Sequence, residues 1–482
     1  MVPDDHRDKQ MKTASPDLMQ SLLEQAGESS ALAELVAVLG RGGRRAAVSG
    51  LAGSARAFVL AQLFLRLERP LLVVLPEQEG AEALRDDLEA ILGPGRVPYL
   101  PEFETSPYDV RSPHLSILDA RLSALSHLVL GRRGILVTTA RSLATQVVAP
   151  EVLRRGILAL SEGDPMDADD LSHWLADLGY RRVPLVEEQG DVARRGGIVD
   201  VFSFGSPNPV RIEFDGDEIA SLREFDPTSQ RSVGSIERVV LLPRREMVVD
   251  GAAAVAGAAA IRAAAAGEHD AELTASQLEH EHYTIGMRRV AGFLDQGWGP
   301  VARYFPPDIL PIFESPARLA DRVAAQVEEV AAAYEERRRH HELVSPPDVF
   351  VLDWTAAAGS LVQGAGIDLE PVRRSGTIAD ALKGLDLSRS TLPPEVAALT
   401  GVGPEEPEEL DAPQVLDRPV GAPRSDQVRI RFDVRAQESF GREMELLRAF
   451  LRSQSEAGIR ILVLCDNPGQ RDHLRELIGE ES

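Results

Sequence analysis

The sequence predicts an α/β protein: a degenerate phosphate-binding-loop (P-loop) domain, interrupted by an inserted α+β domain and followed by a small C-terminal α/β domain. Three observations carry that prediction. Runs such as Leu71-Leu72-Val73-Val74-Leu75 are apolar at consecutive positions and alternate with helical patterns, as parallel strands covered on both faces do. A glycine-bearing turn, Gly50-Leu51-Ala52-Gly53-Ser54-Ala55-Arg56-Ala57, lies between the first short strand and the helix after it. From about residue 160 to 245 the texture changes to short strands joined by tight turns.

Taken in order, residues 1–28 are polar and read as a flexible N-terminus. A helical pattern through Ala31-Leu32-Ala33-Glu34-Leu35-Val36 stops at Gly40-Arg41-Gly42-Gly43. A strand at Ala46-Ala47-Val48, the glycine turn, a helix bearing Phe58, Leu60, Leu63 and Leu65, and the strand 71–75 follow. Helix 81–92, strand 97–100, helix 115–130 and strand 134–138 complete the first part of the P-loop domain, 29–150. The insert, 151–245, opens with a helix carrying Leu171, Trp174, Leu175 and Leu178 that ends at Gly179. Strands at 197–202, 210–214 and 218–225 follow, and Asp215-Gly216 between the last two is a hairpin signal. The second part of the P-loop domain, 246–350, is mainly helical. In it Ser315 reads as the cap and Pro316 as the first residue of a long helix, with Leu319, Val323, Val327, Val330 and Tyr334 on one face. Its cationic end, Arg337-Arg338-Arg339-His340-His341, suits the helix dipole and reads as a solvated terminus. Residues 351–425 read as an irregular segment and an acidic, proline-rich linker. The small α/β domain, 426–482, would hold a strand from Val428, a helix with Phe440, Met444, Leu447 and Leu451, a strand Ile461–Cys465 and a closing helix.

Composition narrows the function classes. With a formal net charge of −24 the chain repels a phosphate backbone on average, which argues against broad coating of nucleic acid. The single cysteine, Cys465, excludes an internal disulfide and a cysteine-rich metal site, and its apolar surroundings suit a buried, inert thiol. The N-terminus has no apolar signal core, and no run approaches the ~20 apolar residues of a membrane span. A cytoplasmic protein without a membrane partner is expected.

A working P-loop has the form G-x-x-x-x-G-K-[ST]: glycine amides cradle phosphates, the lysine reaches the terminal phosphates and the hydroxyl holds magnesium. Here the frame begins at Gly50 and keeps Gly53 and Ser54, but the later glycine is Ala55, the lysine is Arg56 and the hydroxyl position is Ala57. Magnesium loses its direct ligand, and arginine keeps the charge but changes shape and reach. Two readings stand: a coincidental glycine turn, or an ancestral P-loop that has lost its chemistry. The strand before and the helix after favour the second. The counterpart acidic strand end is best matched by Ile309-Leu310-Pro311-Ile312-Phe313-Glu314-Ser315, where Glu314 is either a degenerate Walker B carboxylate or a surface residue. No catalytic residue, metal site or cofactor is expected for this chain.

Two long segments bear a family resemblance. Leu100-Pro101-Glu102-Phe103-Glu104-Thr105-Ser106-Pro107-Tyr108-Asp109-Val110-Arg111-Ser112-Pro113-His114 is one, and Arg195-Gly196-Gly197-Ile198-Val199-Asp200-Val201-Phe202 with the stretch 209–231 is the other. Both resemble the bacterial transcription-repair coupling factors (Mfd), in order over about 30–245, more weakly over 250–425, and again in the terminal unit. The resemblance implies a RecA-like, UvrB-like domain without UvrB's ATPase residues or DNA-gripping hairpin, and an insert that recruits UvrA. It implies UvrA-binding roles for Arg195 first, for Phe202 of the same motif, and for Arg181 and Arg182 of the Gly179-Tyr180-Arg181 segment. Arginine forks suit bidentate pairing with a partner's carboxylates. The alternative makes Arg194 and Arg195 solvated strand residues and Phe202 a core residue; for Phe202 the core role is favoured. The implied function is a non-catalytic adaptor that recruits UvrA to damage-stalled RNA polymerase in transcription-coupled nucleotide excision repair. In that family the ATP- and magnesium-dependent motor and the contacts to RNA polymerase and DNA belong to parts that would follow Ser482, so the chain reads as a truncated, split or stand-alone product. Residual nucleotide hydrolysis or DNA translocation through Arg56 and Glu314, and a regulatory module masking a motor on another chain, are the alternatives.

Overall fold

Apolar runs that are hydrophobic at every position have to be covered on both sides, and a computed structural model shows how this chain covers them. It describes residues 16–40, 44–265, 269–282, 286–370 and 427–432, with isolated residues from 434 to 474. The linker expected over 371–425 and most of the expected small α/β domain, Cys465 included, lie outside the described residues.

The main sheet takes in β1 (Arg45–Ser49), β2 (Leu71–Leu75), β3 (Tyr99–Leu100) and β4 (Ile135–Thr139). Three later strands join it. The insert lies between, with β5 (Leu158–Ser161), β6 (Arg181–Arg182), β7 (Asp191–Arg195), β8 (Ile198–Val201), β9 (Val210–Asp215), β10 (Glu218–Phe225), β11 (Ser232–Ser235) and β12 (Arg238–Leu241). The chain then returns through β13 (Leu310–Glu314), β14 (Gly366–Leu369) and β15 (Val428–Arg431). The order is β15-β1-β14-β13-β2-β4-β3, and every neighbouring pair is parallel. This is the expected α/β architecture with a parallel central sheet.

Strand alternation sorts the core into two layers. Leu71, Val73 and Leu75 of β2 meet Leu35, Leu60, Leu63, Leu84 and Leu88 from the helices Ser30–Gly40, Ala55–Leu67 and Gln78–Leu92. Leu72 and Val74 point the other way, to Leu122, Leu125, Leu319 and Val323 on the helices Leu115–Val129 and Pro316–Arg339. Each such fully buried side chain contributes roughly 1.5–3 kcal/mol of transfer free energy. Among the described residues no helix is long and apolar enough to cross a membrane.

Four expectations need correction. Residues 16–27 of the presumed flexible N-terminus form a helix, Pro16–Gly27. Gln62 Nε2 donates to Leu23 O at 2.5 Å and Arg66 Nη2 to Gly27 O at 2.6 Å, so partner side chains satisfy carbonyls in its C-terminal half. The stretch expected to be irregular from 351 holds the helix Trp354–Gln363 and then β14, which sits between β1 and β13 in the body of the sheet. The strand near Val428 does not belong to a separate unit: it pairs with β1, Ala46 opposite Val428 and Val48 opposite Ile430. Ser315 does occupy the N-cap position with Pro316 next, but it is left-handed (φ 52°), its side chain makes no capping bond, and its buried hydroxyl has no hydrogen-bond partner among the described residues.

The insert's own sheet runs β11-β10-β9-β8-β7-β6, antiparallel except for the β6–β7 pair. Its inner face, with Val192, Val199, Val201, Val210, Ile212 and Leu222, packs on Leu171 and Leu175 of the helix Ala168–Asp177. As expected, that helix ends before Gly179 (φ +84°) and Gly216 (φ +64°) turns the β9–β10 hairpin. Phe204 and Leu242 plug the insert into the main core. Asp119 accepts from Gly205 N at 2.6 Å, and Arg121 pairs with Glu246 at 2.5 Å.

Candidate functional site

The glycine turn lies at the end of β1, where a parallel sheet offers a crevice. Gly50 is left-handed (φ +80°), and a Cβ built on it would stand 1.9 Å from Phe432 O. Phe432 N in turn donates to Ser49 O at 2.9 Å. The glycine thus admits the backbone that follows β15. Gly53 (φ +53°) is exposed and faces open space. Ser54 stands at the N-cap without a side-chain bond, Ala55 starts the helix, and Ala57 is buried with no accessible surface.

Arg56 and Glu314, 258 positions apart in the chain, pair with each other across the sheet end, each side chain 22% exposed. The guanidinium standing where a P-loop lysine would reach phosphate is thereby occupied by the carboxylate standing where a metal ligand would be. Glu314 is therefore neither a solvated surface residue nor part of an acidic pair.

Gly50→Ala is expected to cost about 2 kcal/mol or more, because alanine disfavours positive φ and its methyl displaces the Phe432 carbonyl. Gly53→Ala carries only the backbone term, about 1 kcal/mol. Urea denaturation of both variants checks this; equal losses would mean that the Phe432 approach has no energetic weight.

The insert's outer sheet face carries a row of charges beside a small buried apolar cluster of Val186, Ala193, Phe202 and Phe225. Register places Arg181, Arg195, Arg211 and Arg223 there, one on each of β6, β7, β9 and β10, interleaved with carboxylates. Asp200, 2% exposed, anchors two of them: Arg195 Nη2 reaches Oδ2 at 2.5 Å, and Arg211 reaches Oδ1 at 2.7 Å and Oδ2 at 3.0 Å. Arg181 pairs with buried Asp191 at 2.8 Å and with Glu188 at 3.2 Å, and Arg223 lies 3.6 Å from Glu213. Hydrogen bonding to Asp200 and to Asp191 raises the pKa of Arg211 and of Arg181 above the usual arginine value. Arg211 also stacks 4.8 Å over the buried ring of Phe225. Arg181 and Arg195 each remain 52% exposed, so half of each side chain faces outward from a carboxylate anchor.

The structure separates the residues that the sequence grouped. Arg181 and Arg195 share the outer face. Arg182 turns to the helix side and donates to Ser172 O at 3.5 Å, and Arg194 there pairs with Asp169. Phe202 is 9% exposed and packed with Val186, Ala193 and Phe225, in line with the core role favoured for it over the contact role that the resemblance implied. Asp200, Arg211, Glu213 and Arg223 were missed. Their signal was present as charges at alternate positions, Arg211 and Glu213 on β9 and Arg223 on β10.

One comparison with known proteins falls on the same region. A family model described as the UvrB interaction domain matches residues 158–247. The chain is similar to the transcription-repair-coupling factor of Myxococcus xanthus, 41% identical over 216 residues, which is 43% of this chain and 18% of the relative. It is 35% identical over 213 residues to that of Escherichia coli K12, covering 44% and 18%, and 28% identical over 224 residues to that of Bacillus subtilis, covering 46% and 19%. The matched part thus makes up about a fifth of the curated relatives' length. The resemblance to transcription-repair coupling factors holds.

Proposed function

We propose that this chain is a non-catalytic adaptor for transcription-coupled repair, whose insert captures UvrA through its outer sheet face. The observation that carries the reading is the row of acid-anchored arginines on a domain that matches the UvrB interaction family. An anchored fork loses less rotamer freedom on docking than a free one, and arginine is enriched among binding hot spots. The Arg56–Glu314 pair supports the companion reading, a degenerate P-loop that retains the fold and not the chemistry. RNA polymerase and DNA are proposed as further partners on the resemblance to transcription-repair-coupling factors alone.

Arg195→Ala is expected to weaken UvrA binding at least tenfold, about 1.4 kcal/mol, with the fold unchanged. Arg182→Ala, on the helix side, is expected to change it less than threefold. Biolayer interferometry on immobilised UvrA measures both, and an unaltered affinity for Arg195→Ala would remove this face from the interface. ATP turnover by the same preparation, with and without DNA, is expected at the buffer rate. Turnover that Glu314→Gln abolishes would instead favour a residual nucleotide hydrolase.

A further inference from the structure

The parallel sheet has a second edge, at the N-terminal ends of its strands and opposite the glycine turn. There Arg69 precedes β2, Arg132 and Arg133 precede β4, and Arg96 precedes β3. These strands are neighbours in the order β2-β4-β3, so at about 4.8 Å per strand their loops crowd into a span of about 10 Å. Ile135 N donates to Arg96 O at 2.9 Å, Arg69 Nε to Asp308 O at 2.8 Å, and Arg133 Nη1 to Glu68 O, which ties the loops together. The helix Pro150–Arg155 adjoins them: Arg154 Nη2 donates to Val129 O at 2.9 Å, and Arg155 beside it is exposed.

These arginines differ from those of the insert, where Asp200 and Asp191 neutralise the forks. At the sheet edge Arg69, Arg133 and Arg154 are held by backbone carbonyls, which carry no charge, and Arg96 and Arg132 are exposed. None of them pairs with a carboxylate among the described residues, and the carboxylates of this edge, Glu68, Glu151 and Asp308, are outnumbered. A positive edge therefore stands on a chain of formal net charge −24. Between its arginines runs a groove of about 300 Å³, floored by Pro70, Pro98, Leu128, Phe305 and Pro306 and lined also by Arg132, Arg133 and Asp308. Leu130, 42% exposed, lies next to it.

We infer that this edge docks a short acidic segment of a partner protein, its carboxylates on Arg96, Arg132 and Arg133 and one large apolar side chain in the groove. An exposed guanidinium fork accepts a carboxylate bidentately. The groove exceeds the roughly 150 Å³ void that accommodates benzene, so a phenyl ring fits. Length argues against nucleic acid as the occupant. The positive span is close to one Debye length at physiological salt, about 8 Å. A short acidic segment lies within it, whereas a long phosphate backbone runs on over an acidic chain that repels it.

Fluorescence anisotropy on the full chain tests this with a fluorescein-labelled heptapeptide, Glu-Asp-Glu-Phe-Glu-Asp-Glu. Saturable binding that weakens at least threefold from about 50 to 200 mM salt is expected. Arg132→Glu together with Arg133→Glu should lower the affinity at least tenfold. The distal reversal, Arg338→Glu with Arg339→Glu at the end of the helix Pro316–Arg339, alters the net charge equally and should change it less than threefold. A peptide with alanine in place of phenylalanine should bind at least fivefold more weakly. Equal losses from the two reversals, or equal binding of the alanine peptide, would overturn the assignment. So would the absence of saturation up to about 1 mM, or tighter binding of an oligothymidylate or a short DNA duplex than of the peptide. The peptide and oligonucleotide comparisons are read on the unaltered protein, so they decide even if the Arg132, Arg133 double variant fails to fold.

Discussion

Glu246→Ala is expected to cost about 3–5 kcal/mol of stability, a large share of the 5–15 kcal/mol that holds a typical domain. Its partner, Arg121, has no accessible surface at all. Removing the carboxylate leaves a fully buried guanidinium with only two neutral acceptors, Pro101 O and Ser142 Oγ, and with the second cation, Arg288, across the Phe103 ring. Glu246→Gln keeps an acceptor at the Oε1 position and should lose less. Urea denaturation at constant m-value measures the difference. The double variant Arg121→Met with Glu246→Leu is expected to recover most of the loss, because desolvating two charges offsets much of what a buried pair contributes. A loss below about 1 kcal/mol in the single variant would mean that the neutral acceptors suffice. The pair also has a positional role. Glu246 follows β12, where the chain leaves the insert, and Arg121 is on a helix of the main unit, so the bond fixes the root of the insert's sheet.

Much of this framework is legible from one-dimensional patterns, and its gaps have physical causes. Strands β2, β4 and β13 announce themselves because both sheet faces are covered, which makes consecutive positions apolar. Strand β14 hides because its four residues include Asp368, which would disqualify a central strand if unpaired. It is tolerated there because Arg45 Nε donates to it at 2.9 Å and Gln427 Nε2 at 2.7 Å, partners 323 and 59 positions away. No local pattern encodes such a pair. The same holds for Arg56 and Glu314: each was visible as a defect of one motif, and their contact explains both defects together. On the insert, the arginine-bearing segment drew attention to Arg195. What anchors it, a buried Asp200 shared with Arg211, requires the β7–β8–β9 register. Phe202 is the case where the apolar side chain outweighed motif membership: the favoured core role agrees with its burial beside Val186, Ala193 and Phe225.

The second large effect is expected at Asp200 itself, where stability and recognition meet. Asp200→Ala frees Arg195 and Arg211 at once. Arg211 is 19% exposed and Arg195 52%, so water partly compensates both, and a loss of about 2–3 kcal/mol is expected rather than the full penalty of a sealed pair. Binding should fall further than stability accounts for. Without the carboxylate, Arg195 regains rotamers that docking must freeze, at about 0.5–1.5 kcal/mol, and Arg211 loses the bidentate contact that holds it over Phe225. A UvrA affinity at least tenfold lower is therefore expected at temperatures where the variant is still fully folded. A double-mutant cycle separates this from simple unfolding. If Asp200 acts by positioning Arg195, Arg195→Ala in the Asp200→Ala background costs less binding than Arg195→Ala alone, a coupling of 0.5 kcal/mol or more. Strict additivity would mean that the two residues act on UvrA independently, and that the anchoring is structural only.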